Sequence, residues 1–418
     1  MKTYFSQYLP AIVVSLAVAS GIQAEENRSA DGKSPVCADM CYAGPVLDCN
    51  DNWQVMGAAV YEQVRVQGGD IALLQDCSNR LNPQLGVQFP QNATTIQFPE
   101  DLSWGFKVGV GYRDMISDWT AQFRYNYFKS VTNGSLESGY NFGFAPSYYV
   151  NRALFSIYQP QGPSGSYVST TTGGTSVIPL TGFPLNNPSN ATLLFQNLEM
   201  GTSSVVNNFN VTLERPSLVT QSLEITPFYG VNTTIITRRQ LAVFSNDYSA
   251  IGTTQQALNF YPTALGAFFQ NYQKYTWWGV GPMGGVHTSF KMGDMFALYG
   301  DAYGSLTYGQ CSTRASTFSK RLFQQGSLAG SLSTYVPAEA VMEQRMFQFS
   351  PEVNFQLGIR FEDRFDNDSK QVRVNIGYEA AYYFLVMKTV VNDTLTYQTA
   401  DGAGLGLQGL VLQAQLDF

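Results

Sequence analysis

The stretch that decides the fold is the last one, Leu410-Val411-Leu412-Gln413-Ala414-Gln415-Leu416-Asp417-Phe418. Counting back from Phe418, residues Leu416, Ala414, Leu412 and Leu410 share its face, while Asp417, Gln415, Gln413 and Val411 share the other. Side chains of a strand alternate between two faces, so a period of two describes a strand greasy on one side and mainly polar on the other.

The same pattern recurs upstream. Over 371–384, Val372, Val374, Ile376, Tyr378, Ala380 and Tyr382 alternate with Gln371, Arg373, Asn375, Gly377 and Glu379. Before it, Val353, Phe355, Leu357, Ile359 and Phe361 alternate with Glu352, Asn354, Gln356, Gly358 and Arg360. Further strands are predicted over 294–307, 277–291, 222–231, 205–215, 119–128, 104–113 and 53–61, which makes ten legible strands. Antiparallel neighbours alternate in direction. With the last strand running toward Phe418, connections on that side are short: around Met292-Gly293-Asp294, around Pro216, and at 114–118 and 362–370. Those on the opposite side are long, at 62–103, 129–204, 232–276, 308–350 and 385–403. Partial alternation in Gly86 to Phe98 and Leu241 to Tyr248 raises the expected total to 12, within a range of 10 to 16.

Composition agrees with strands that face lipid. Charged residues are only 13% of the 418 and aromatics 14%, whereas soluble domains carry about 25% charge. Past the N-terminus no apolar run is long enough for a membrane helix, and mean hydropathy is −0.11. A transmembrane barrel reconciles the two, because only every second residue need be apolar. The expected fold is therefore an all-β antiparallel transmembrane barrel with short periplasmic turns, long extracellular loops and a place in a bacterial outer membrane. Aromatic girdles are expected at Trp104, Tyr127, Trp277 and Tyr382 on the outer side, and at Trp53, Tyr112, Trp119, Phe361 and Phe418 on the inner side. The N-terminus reads as an export signal over 1–24, with Lys2, the apolar Leu9 to Ala19 and the small Ala24 before Glu25-Glu26. A cysteine-containing periplasmic segment, 25–52, and the barrel, 53–418, follow.

The chemistry available is sparse. Cys37, Cys41, Cys49, Cys77 and Cys311 are an odd number in an oxidising compartment, so one is left over for an intermolecular bond or a free thiol. Cys37, Cys41 and Cys49 have spacing that could suit a metal, but no His lies nearby and disulfides are the expectation, with no metal and no cofactor. A net charge of −7 without a basic stripe argues against nucleic acid. His287 is the only histidine, and by parity it lies with Trp277, Gly279, Gly281, Met283 and Gly285 near the periplasmic end, away from arriving surface substrates. No enzyme is expected. The glycines of 279–285 read as close strand packing rather than a phosphate loop. The candidate pore-lining residues are Lys107, Arg113, Arg124, Glu352, Arg360, Arg373 and Glu379. They either line a water path or pair with one another and plug it. Cations outnumber acids in this set, so an open lumen is expected to lean toward anions.

Several segments resemble a known family. Trp278 to Gly285 (Trp-Gly-Val-Gly-Pro-Met-Gly-Gly), Phe296 to Gly300, Ser305 to Gly309, Trp104 to Tyr112, Leu223 to Gly230 and Leu405 to Phe418 are similar to the Legionella major outer membrane proteins, which also occur in Chlamydia-like bacteria. The resemblance implies an abundant, cysteine-linked surface porin that is also used in attachment to host cells. These motifs are strand and turn residues, so none carries a catalytic role. The expected function is passive diffusion of small polar solutes. The alternative is a structural or adhesive surface protein with a closed lumen. Its expected partners are outer-membrane lipid, a second copy or disulfide-linked envelope neighbours, and a host surface.

Overall fold

The structure is a computed structural model that describes residues 53–67, 70–76, 93–114, 119–137, 152–156, 166–171, 174–179, 197–218, 220, 222–245, 268–293, 295–324, 333–365, 370–388, 390–392, 397–399 and 403–418. Ten strands form its wall: β1 (Trp53–Val66), β2 (Leu102–Asp114), β3 (Trp119–Glu137), β4 (Asn197–Glu214) and β5 (Leu223–Ser245). The rest are β6 (Phe268–Lys291), β7 (Phe296–Gln324), β8 (Ser333–Phe365), β9 (Lys370–Met387) and β10 (Ala403–Asp417). Each pairs antiparallel with the next, and β10 pairs back with β1, so the sheet has no open edge. At the seam Trp53 N donates to Phe418 O at 3.0 Å and Phe418 N donates to Trp53 O at 2.9 Å.

The register fixes the width. A row of directly paired residues starts at Tyr299 on β7 and passes Gly358, Gly377, Val411, Val60, Gly105, Phe128, Val206, Ile236 and Trp277. It returns to β7 at Cys311, a displacement of 12 residues (311 minus 299). Ten strands with that stagger tilt by about 40° and enclose a backbone diameter of about 20 Å. Large side chains from opposite walls of such a barrel nearly meet.

Alternation decides what faces outward. Leu410, Leu412, Leu416, Ile376, Tyr378, Phe355, Leu357 and Ile359 are exposed on the outer face, as the sequence pattern requires. Trp53 and Tyr112 meet edge to face at the end bearing the barrel's termini, as do Phe296 and Phe361. Connections between described residues at this end are short, which makes it the periplasmic end. We call the other the far end.

Three expectations need correction. The wall has ten strands and not twelve: Leu241 to Ser245 is the top of β5, and Ala93–Gln97 joins Asp70–Asp76 and Arg152–Ser156 in a separate small sheet. Much of the predicted outer loops is strand, since β7 has 29 residues and β8 has 33. Their outer face turns polar while the inner one stays buried, as at Thr313 and Ala315, so the apolar-polar alternation fades and hides the continuation. Trp277 belongs to no girdle; it points into the barrel and is 1% exposed. The segments 1–24 and 25–52 lie outside the described residues, as do Cys37, Cys41, Cys49 and Cys77, while the first wall strand begins at Trp53 as expected.

Candidate functional site: the barrel interior

The interior is layered. Nearest the periplasmic end is a polar chamber with about 170 Å³ of space for water, lined by Gln54, Lys107, Arg113, Gln122, Arg124, His287, Arg360, Arg373 and their neighbours. All seven residues predicted to face the lumen do point inward. Their charges are engaged. Arg124 meets Glu214 at 3.2 Å and Gln122 at 2.6 Å; Arg373 meets Asp417 at 3.0 Å; Arg360 meets Glu362 at 3.5 Å and lies over the Tyr299 ring. Lys107 on β2 reaches Glu379 on β9, across two intervening strands.

Sequence reasoning missed the acids that balance these cations. Glu62, Glu214, Glu224, Asp301, Glu362 and Asp417 also face in, so the expected lean toward anions finds no support in the charge count. Parity of the extended strands was the available signal. His287 sits in this chamber, stacked on Phe228 with ring centroids 4.4 Å apart. Its Nδ1 lies 2.7 Å from Asp301 and its Nε2 3.5 Å from Glu214. Each ring nitrogen therefore faces a carboxylate, and Arg124 also lies 3.4 Å from Nε2.

Above the chamber the carboxylate of Glu352 on β8 spans the lumen. It accepts from Asn208 on β4 at 3.3 Å, from Asn232 and Thr234 on β5 at 2.5 and 3.2 Å, and from Tyr303 and Ser305 on β7 at 3.2 and 3.3 Å. These contacts tie β8 to the wall four strands away at β4. Beside the carboxylate a small cavity of about 20 Å³, lined by Glu62, Lys107, Asn126, Tyr303, Asn354 and Glu379 among others, has room for roughly one water.

Next comes an apolar ring. Val60, Phe128, Val206, Ile236, Trp277 and Cys311 follow one another along the register row, and Met346 continues it on β8. Val64, Tyr275, Tyr383, Val386, Met387, Leu405 and Leu407 fill the centre. Glycines make room: a Cβ on Gly279 would stand 2.6 Å from the Trp277 indole, and one on Gly105 2.8 Å from Val60. β9 bulges between Tyr383 and Met387, where Leu385 takes a left-handed φ of 58°. Such a conformation is strained for a leucine, and here it turns both Val386 and Met387 inward. Cys311 Sγ lies 3.6 Å from Val386 O, so this thiol is inside the barrel, shielded by the wall from any neighbouring chain. Among the described residues no second cysteine is available to it. A further apolar layer, with Phe98, Leu198, Ala242, Phe244 and Phe269, lies toward the far end, separated by the buried Arg238, which contacts Glu100 and Ser204.

A closed antiparallel barrel with a lipid-facing apolar band and a filled, partly charged interior defines an outer-membrane β-barrel. Residues 48–418 match the family model described as Legionella pneumophila major outer membrane protein precursor, and the chain belongs to that family in the bacterial outer membrane. Among solved structures it is similar to the outer membrane protease OmpT from Escherichia coli, at 11% identity and TM-score 0.33, covering 88% of this chain and 96% of that one. It is also similar to the Pseudomonas putida toluene transporter TodX, at 9% identity and TM-score 0.26, covering 88% and 89%. A Pseudomonas aeruginosa FadL homologue aligns at 10% identity and TM-score 0.19, covering 88% and 91%. Comparison with curated proteins gives no match.

Proposed function

We propose that this protein is a structural surface barrel of the outer membrane, closed across its middle and without enzymatic activity. The observation that carries the reading is the cross-lumen contact set of Glu352 beneath the apolar ring containing Trp277. The far-end hairpins support a surface role: β7 and β8, at 29 and 33 residues, outrun the roughly 9 to 11 that cross a bilayer. They present long polar structure to neighbouring envelope proteins or a host surface. The second reading, passive diffusion of small polar solutes, is favoured by the water-holding charged chamber at the periplasmic end. It requires the apolar ring to move. Liposome swelling with the refolded protein in arabinose separates the two. The closed reading predicts swelling no faster than protein-free liposomes; rapid swelling with a folded barrel would establish the porin.

A further inference from the structure

The outer face of the tall wall carries a row of cations. Arg239 on β5 pairs directly with Lys274 on β6, and Lys274 with Arg314 on β7. Neighbouring strands are about 4.8 Å apart, so three positive charges stand within about 10 Å. Like charges placed directly opposite on a sheet destabilise it. The row ends at Glu343 on β8, which Arg345 on the same face engages at 2.6 Å. That hydrogen bond and the Arg345 charge, with a smaller pull from Arg314 directly opposite, hold the Glu343 carboxyl below the usual range, so one acid is shared between two arginines. Among the described residues neither Arg239 nor Lys274 has an acidic partner within 4.0 Å.

The depth of the row is set by aromatics. Trp278, Tyr308, Phe347 and Phe349 form a contacting cluster on the same outer face, with centroids 4.9 to 6.5 Å apart. Aromatic belts sit where lipid tails give way to headgroups. Lys274 lies four residues beyond Trp278 on β6, which at this tilt is about 10 Å farther out. That is headgroup territory of the outer leaflet.

We propose that Arg239, Lys274 and Arg314 form a binding site for the phosphates of an anionic outer-leaflet glycolipid. Guanidinium groups pair with phosphate oxygens in a fork, the ammonium between them adds a point charge, and the bound anion offsets the mutual repulsion of the row. The acyl chains then lie along the apolar band beneath Trp278.

The test is native mass spectrometry of the full-length refolded protein with diphosphoryl lipid A, dephosphorylated lipid A and phosphatidylcholine as probes. The proposal predicts retained diphosphoryl lipid A, at least tenfold weaker retention of the other two, and a tenfold loss in the triple variant Arg239→Gln, Lys274→Gln, Arg314→Gln. Arg65→Gln, which removes an exposed outward cation at the far end of the short wall, should leave retention unchanged. Equal retention by a triple variant whose heat-modifiable gel mobility shows a folded barrel would overturn the site. Should that variant fail to fold, equal binding of phosphorylated and dephosphorylated lipid by the wild-type protein would overturn it just as well.

Discussion

The two halves of the barrel interior solve the same packing problem differently. In the periplasmic chamber, charges pair around a space open to solvent, and Arg124 and Arg373 keep 26% and 24% of their side chains exposed. In the middle, Glu352 is 2% exposed and Trp277 1%, and five side-chain donors satisfy the carboxylate while apolar side chains surround the indole. A pair that water reaches is worth little because solvent competes for it, whereas a buried carboxylate or a filled cavity is expensive to disturb. The lesson is that charge in a barrel lumen does not by itself make a pore.

That contrast can be broken most severely at the ring. Trp277→Ala should destabilise the barrel by about 3 to 5 kcal/mol through lost burial and the cavity left behind, measured by urea unfolding in micelles. Its indole nitrogen has no hydrogen-bond partner among the described residues, so Trp277→Phe should cost much less, about 1 kcal/mol. Next in size, Glu352→Ala should cost about 3 kcal/mol, because it strands Asn208, Asn232 and Thr234, while Glu352→Gln keeps an acceptor and should lose about 1 kcal/mol. A loss for Glu352→Gln as large as for Ala would show that the charge itself holds the middle together.

Smaller still, Arg124→Gln should cost about 1 kcal/mol, since Glu214 retains Thr212, Gln122 and His287 as partners. A loss of several kcal/mol there would erase the difference between the two halves. Cys311 supplies a kinetic probe with almost no stability change. Its thiol should resist a water-soluble maleimide in the folded wild-type protein and react once Trp277→Ala opens the ring. Equal labelling rates in both proteins would mean that the ring is not the barrier.

Most of the wall was legible from alternation alone, because one face of each strand must meet lipid. Leu410 to Phe418, 371–384 and 352–361 stand where the pattern put them. The pattern loses force beyond the bilayer, so the upper halves of β5 to β8 look like loops in the sequence. Parity also placed Lys107, Glu352 and Glu379 inside, but it could not say which would bond across the lumen, since that depends on the 12-residue stagger (311 minus 299). Trp277 was misassigned for a physical reason: a tryptophan near a barrel's outer end suits a girdle, and only strict parity shows that it faces inward.

Planar-bilayer conductance of the refolded protein, wild type against Trp277→Ala, tests the central claim most directly. A middle sealed by Glu352 and the apolar ring predicts a silent wild-type barrel and, in the variant, unitary steps or at least leak. Stable unitary steps from folded wild-type protein would contradict it.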